Sequence, residues 1–156
     1  QATMNNFIWG NDDFQNYETI AGGTGAGPGF QGCDAVQTHM TNTLMTDPEI
    51  LEKRFPVRLD TFGIRQGSGG VGEYRGGHGS LRELTFLTPA TVTTLCSHRV
   101  VPPFGANGGG DALPGENSAR MPDGTVVALK GNDEIELPAG ATFILKSPGG
   151  GGWGEA

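Results

Sequence analysis

The sequence predicts a mainly β fold, an antiparallel β-sandwich or barrel-like sheet with glycine-rich loops and one short helix over about 47–54. Three observations carry this. Short runs rich in β-branched and aromatic residues recur between Gly, Pro and Asp-Gly punctuation, which is the pattern of strands joined by tight turns. Only one segment carries a clear helix start, so a βαβ arrangement has too few helices to build from. The 28 glycines fall mostly in five clusters, at 22–29, 67–72, 76–79, 105–110 and 149–154, each bounded by apolar residues such as Ile20, Phe30, Val71, Leu81, Phe104 and Trp153. A flexible linker is featureless, whereas clusters between apolar segments predict shaped turns and close backbone contacts, with glycine supplying positive φ.

The elements follow in order. Asn6-Phe7-Ile8-Trp9 is the first expected strand and 14–20 the second, joined through the turn-forming Gly10-Asn11-Asp12-Asp13. In the second strand Phe14, Asn16, Glu18 and Ile20 share one face, so Glu18 is either a buried carboxylate in need of a partner or part of a face turned to a site or solvent. The stretch 35–43 reads as irregular polar chain. Thr46-Asp47-Pro48-Glu49 then opens the helix: Thr46 or Asp47 caps it, Pro48 suits its first turn, and Phe55-Pro56 ends it. Further strands are expected at 57–64, 79–87, 91–98, 125–129, 133–137 and 142–146. Met121-Pro122-Asp123-Gly124-Thr125 is the strongest hairpin cue, and Leu137-Pro138-Ala139-Gly140 reads as another turn.

Composition narrows the function classes. A chain of 156 residues fits one domain with one core. Charged residues make up 17% and the formal net charge is -7 with Lys and Arg scattered, which removes the basic footprint of a nucleic-acid binder. No run approaches the roughly 20 apolar residues of a membrane helix. The segment Gln1 to Asn6 has neither the basic nor the apolar stretch of a secretion signal, so a cytoplasmic location is expected. Cys33 and Cys96 lie far apart without CxxC spacing and read as free thiols.

The motifs with chemistry in them are few. Gly22-Gly23-Thr24-Gly25-Ala26-Gly27 has the glycine content of a phosphate cradle but lacks the Lys-Ser/Thr ending and the following helix, so a structural or substrate-facing turn is the expected use. Thr38-His39-Met40-Thr41-Asn42-Thr43 offers an imidazole, an amide and three hydroxyls. His39 suits a proton carrier and Asn42 a carbonyl-orienting donor; the alternative is local hydrogen bonding within a loop. His39, His78 and His98 have no helical i, i+4 partners, so no metal site is assigned. Cys96 and His98 stand two apart on an expected strand, where a buried thiol and an edge imidazole is the simpler reading.

Taken in order, Tyr17 to Pro28, Thr38 to Thr43, Thr46 to Glu52, Arg65 to Gly70, Tyr74 to Gly79, Pro102 to Gly105 and Ser147 to Gly154 resemble the C-terminal end of the hydantoinase B and 5-oxoprolinase family. Thr3 to Phe7 resembles the oxoprolinase branch more than the hydantoinase or acetone carboxylase branches. The resemblance implies ATP-dependent opening of a cyclic amide, 5-oxo-L-proline going to L-glutamate, with N-methylhydantoinase-type hydrolysis or a purely structural, subunit-docking role as alternatives. It implies a single C-terminal fragment over 1–156, inactive alone, whose partners are the remaining hydantoinase B-like and hydantoinase A-like portions. A homo-oligomer and a small cyclic amide substrate are expected, and neither nucleic acid nor membrane. No cofactor and no metal are expected within this chain; ATP and a divalent metal belong to the missing parts. The residues assigned to the site are Glu18, His39 and Asn42 as catalytic, and Thr24, Gly25 and Thr38 as substrate-binding.

Overall fold

The computed structural model describes residues 4–156, with only the backbone of Met40. Part of the Thr3 to Phe7 segment therefore lies outside the described residues. Among the described residues nine strands form two antiparallel sheets. In chain order they are β1 (Asn5–Gly10), β2 (Gln15–Thr19), β3 (Val57–Arg65), β4 (Gly79–Phe86), β5 (Ala90–Cys96), β6 (Glu116–Arg120), β7 (Val126–Leu129), β8 (Asn132–Leu137) and β9 (Thr142–Lys146). The four-stranded sheet runs β2-β1-β5-β8 and the five-stranded sheet β3-β4-β9-β6-β7. Helix α1 (Pro48–Arg54) precedes β3.

Local chemistry explains the boundaries. Asn11 N donates to Phe14 O at 2.9 Å and the Asn11 side chain takes Asp13 N, which closes the β1–β2 hairpin. At α1, Asp47 rather than Thr46 is the cap: its carboxylate accepts from Glu49 N at 2.9 Å, with Pro48 in the first turn. Gly124 takes φ +88 and donates to Met121 O, so the expected turn at 121–125 is a β6–β7 hairpin.

The core lies between the sheets. Alternate residues of β1 and β5 point inward as Phe7, Trp9 and Val92, and meet Leu84, Phe86, Ala119, Phe143 and Leu145 from the facing sheet. Phe7 stacks on Phe143 with ring centroids 4.7 Å apart, and Trp9 meets Phe55 and Phe86 edge-on at 5.2 and 5.7 Å. Each such ring pair adds about 0.5–1.5 kcal/mol beyond area burial. Leu51 of α1 is fully buried and closes the end of the sandwich at which β3 starts. No helix among the described residues is long and apolar enough to cross a membrane.

Three expectations need correction. Strand β6 falls where none was expected, because Glu-Asn-Ser-Ala-Arg has no β-branched or aromatic residue; it is a strand because β9 and β7 pair with it on both sides. Strand β5 stops at Cys96, and His98 sits beyond it at φ +54, so the period-2 argument that placed the two side chains on one face does not apply. The Cys96 thiol is buried and its pKa is pushed up by that burial, the opposite of a catalytic thiolate. Most glycines, finally, are not at positive φ; Gly29, Gly67, Gly108, Gly124, Gly140 and Gly154 are, and the clusters serve close approach instead.

Candidate functional site

Below one end of the sandwich the glycine clusters come together, backbone against backbone. A Cβ added to Gly76 would come closer than 3.0 Å to backbone atoms of Gly150 and Gly151, and one on Gly77 would strike Cys33. One on Gly150 would strike Thr24. Hydrogen bonds run through the packed segments: Gly77 N to Thr24 O at 2.8 Å, Gly150 N to Gly77 O at 2.9 Å, Gly70 N to Gly150 O at 2.9 Å, and Gly152 N to Gly110 O at 3.0 Å. Side chains are absent because no space exists for them, and the main-chain groups satisfy one another without forming a sheet. The 22–27 loop accordingly makes no anion cradle. Gly23, Thr24, Ala26 and Gly27 donate their N–H groups to Pro148, Cys33, Gly151 and Phe30 carbonyls.

Thr24 and Gly25 are part of this packed region. The Thr24 hydroxyl accepts from Cys33 N at 2.7 Å, and Thr24 and Gly25 are half-buried. The chain then doubles back. Val36 bridges to Gly22, and Gln37 donates its side-chain N–H to Thr19 O at 2.6 Å, which brings Thr38 and His39 to the end of β2. Thr38 starts a 3-10 turn, His39–Thr41, in a reciprocal cap with Thr41. His39 is exposed with φ +46, and Asn42 is exposed beside it. The structure thus brings Thr38, His39 and Asn42 together at the β2 end, and places Thr24 and Gly25 further along the hairpin-like return.

Glu18 is inside. Its carboxylate takes a two-point contact from Arg82 of β4, Nε to Oε2 at 3.0 Å and Nη2 to Oε1 at 2.7 Å, with side-chain exposures of 4% and 2%. Phe62 lies under the guanidinium at 5.3 Å. This pair joins the two sheets, and it satisfies the need for a partner that the sequence implied. A carboxylate so enclosed and so paired does not reach a ligand in this conformation.

A second polar cluster escaped the sequence reading. The Asp34 carboxylate accepts from His78 N at 2.7 Å and Arg75 Nη1 at 3.0 Å, and His78 Nδ1 accepts from Gly69 N at 3.0 Å. The ring proton of neutral His78 is therefore on Nε2. Partial burial raises the Asp34 pKa, but the His78 N–H and the Arg75 guanidinium outweigh it and hold the carboxyl below its ordinary value. The motif Tyr74 to Gly79 contains both partners; spacing gave no reason to join them to Asp34, more than 40 residues earlier. Among the described residues no three His, Cys, Asp or Glu side chains are grouped to hold a metal ion.

Known proteins match the whole length. The chain is 47% identical over 155 residues to 5-oxoprolinase 1 of Arabidopsis thaliana and 45% identical to 5-oxoprolinase of Dictyostelium discoideum, covering 99% of this chain in both cases. It spans only 12% of the length of either relative. The crystal structure of an ATP-dependent caprolactamase from Pseudomonas jessenii superposes with a TM-score of 0.82 at 27% identity, over 96% of this chain and 28% of that one. Residues 1–156 match the hydantoinase B/oxoprolinase family from end to end, and the chain belongs to that family.

Proposed function

We propose that this chain is the C-terminal portion of an ATP-dependent 5-oxoprolinase, which opens the ring of 5-oxo-L-proline by hydrolysis to give L-glutamate. The similarity to 5-oxoprolinases over 99% of the chain carries this reading. ATP and a divalent metal are assigned to the portions outside this chain; the glycine loop spends the N–H donors of Gly23, Thr24, Ala26 and Gly27 on carbonyls. The sandwich and the glycine-packed region are the rigid support. The exposed turn with Thr38, His39 and Asn42 is the part suited to border a cyclic amide: His39 as proton carrier, Asn42 as donor to a carbonyl oxygen. Thr24 and Gly25 hold the return strand behind that turn, and Glu18 acts from within by locking β2 to β4.

The test is the complete enzyme with ATP, offered 5-oxoproline and hydantoin side by side. Release of glutamate from 5-oxoproline supports the assignment; turnover of hydantoin alone moves the chain to the hydantoinase branch. The 156-residue chain by itself is expected to release none, and robust ATP-dependent release from it overturns the division of labour. A purely structural, subunit-docking role is favoured by the exposed apolar residues Leu44, Val71, Val100 and Phe104. It stands if truncation breaks assembly while changes at His39 and Asn42 leave turnover intact.

A further inference from the structure

Loops longer than about 12–15 residues with neither strand nor helix are uncommon in compact domains and usually have a use of their own. Loop 97–115, which connects Cys96 of β5 to Glu116 of β6, is one. Its shape is fixed by backbone bonds: Ala112 N donates to Pro103 O at 3.0 Å and Ala106 N to Gly152 O at 2.9 Å, while Gly110 N and Leu113 N reach Val71 O and Ser68 O at 2.7 and 2.9 Å. Its two charged side chains are engaged within the chain. The Arg99 guanidinium donates to Asn5, Ser97 and Asn117 at 2.8–3.1 Å, and the Asp111 carboxylate accepts from Gly105 N at 2.8 Å. What the loop turns outward is largely apolar. Val100 and Phe104 are 90% and 78% exposed, Val101 and Leu113 are exposed in the same loop, and exposed Val71 lies against it through Gly110.

The outer faces of the two sheets are built differently. That of the five-stranded sheet carries Arg65 and Lys146 on Glu116, Arg120 on Glu83 and Arg58 beside Asp60, and that of the four-stranded sheet carries Glu134 and Glu136. Charged faces of this kind suit water, whereas charge is depleted at the core of an interface. Pro102 and Pro103 hold the backbone between Val101 and Phe104, so little freedom is lost when the flanking side chains are covered. We propose that loop 97–115 seats in an apolar hollow on the remainder of the same, longer enzyme chain, with Val100 and Phe104 as its two anchors. Two arguments favour that occupant over a second copy of this chain. The sandwich makes up 12% of the length of its 5-oxoprolinase relatives and 28% of the caprolactamase chain, so most of the polypeptide in those proteins lies outside it. A portion tethered by the backbone meets the loop at an effective concentration of roughly millimolar, which a second copy matches only if the protein itself is that concentrated.

The inference rests on the proposed function in one respect, that this chain is a portion of a longer enzyme; the substrate does not enter it. In the complete enzyme the photoreactive residue p-benzoylphenylalanine replaces Phe104, Val100 and, as the control on a charged face, Arg58, one at a time. After irradiation the products are read on a denaturing gel and by mass spectrometry of the joined peptides. The probe at Phe104 or Val100 is expected to join residues of the same chain outside the 156-residue stretch, at monomer mass. Its yield should be about tenfold or more above that of the Arg58 probe, since capture needs a neighbour within about 4–4.5 Å. A covalent species of dimer mass overturns the proposal in favour of a second copy. Joints confined to the 156 residues, or none from either probe, overturn it by leaving the loop uncovered. Equal yield from Arg58 overturns the choice of face. Turnover is not the readout, so cross-links in the expected place without release of glutamate from 5-oxoproline fault the substrate assignment and leave the docking intact.

Discussion

The glycine-packed region is most sharply tested by comparing one methyl group at two glycines. At Gly76 the added carbon would lie closer than 3.0 Å to Gly150 and Gly151 backbone atoms, which have no rotamer to change. The 149–151 segment must then move, and two bonds it anchors are strained, Gly70 N to Gly150 O and Gly150 N to Gly77 O. Overpacking costs roughly 1–3 kcal/mol and each lost hydrogen bond about 0.5–1.5 kcal/mol, so Gly76→Ala is expected to destabilise by roughly 2–6 kcal/mol. At Gly25 the nearest atom to the new carbon is Gly151 O at 3.8 Å, and the residue is outside the left-handed region. Gly25→Ala therefore keeps its contacts and restricts the unfolded chain, which stabilises by about 0.4–1 kcal/mol. Urea unfolding followed by circular dichroism separates them. With a slope of about 2 kcal/mol per molar, the midpoint drops by roughly 1–3 M for Gly76→Ala and rises slightly for Gly25→Ala. A Gly76→Ala midpoint equal to the parent's would show that the clusters are loose loops and would refute the packing argument.

Three further outcomes follow from the same geometry. Glu18→Gln leaves the Arg82 guanidinium buried without its counter-charge and is expected to cost about 3–5 kcal/mol in urea unfolding, while Glu18→Leu with Arg82→Met recovers most of it; a single-variant cost under about 1 kcal/mol contradicts a buried pair. The Asp34 carboxyl has a folded-state pKa below its ordinary 3.8, so its contribution is present above that value and is lost as pH falls through the folded-state pKa. Asp34→Asn should accordingly be less stable than the parent at pH 6, with the gap closing below about pH 4, and a gap that widens in acid reverses the sign. In the complete enzyme His39→Ala is expected to lower kcat by about a hundredfold or more, the range of general acid–base catalysis, without moving the urea midpoint; unchanged turnover removes His39 from the site.

What the sequence made legible divides along the range of the interactions involved. The α1 start, the β1–β2 turn and the 121–125 turn depend on residues within a few positions of one another, and Asp47, Asn11 and Gly124 behave as their chemistry requires. Glu18 was legible only as a demand: periodicity put it on the face of Ile20, but nothing local could say that Arg82, 64 residues on, would answer it. Strand β6 was invisible for the same reason, since its identity is lent by β7 and β9 and not by its own propensity.

The glycines carry that argument furthest. A glycine kept for positive φ announces itself through its turn, as Gly124 does after Asp123. A glycine kept because another backbone touches it has no local signature, since the reason lies on a distant segment. Gly76, Gly77 and Gly150 belong to this second kind, held bare by Gly150 and Gly151, by Cys33, and by Thr24 and Gly25 respectively. Five clusters along one chain thus encode a single object, a place where these stretches of main chain meet without side chains between them. Such an object is intolerant of methyl groups at its contacts and indifferent to side chains at its rim. Under the proposed function, Thr38, His39 and Asn42 on the exposed turn, rather than the packed glycines or the buried Glu18, are the positions at which substitution should separate activity from stability.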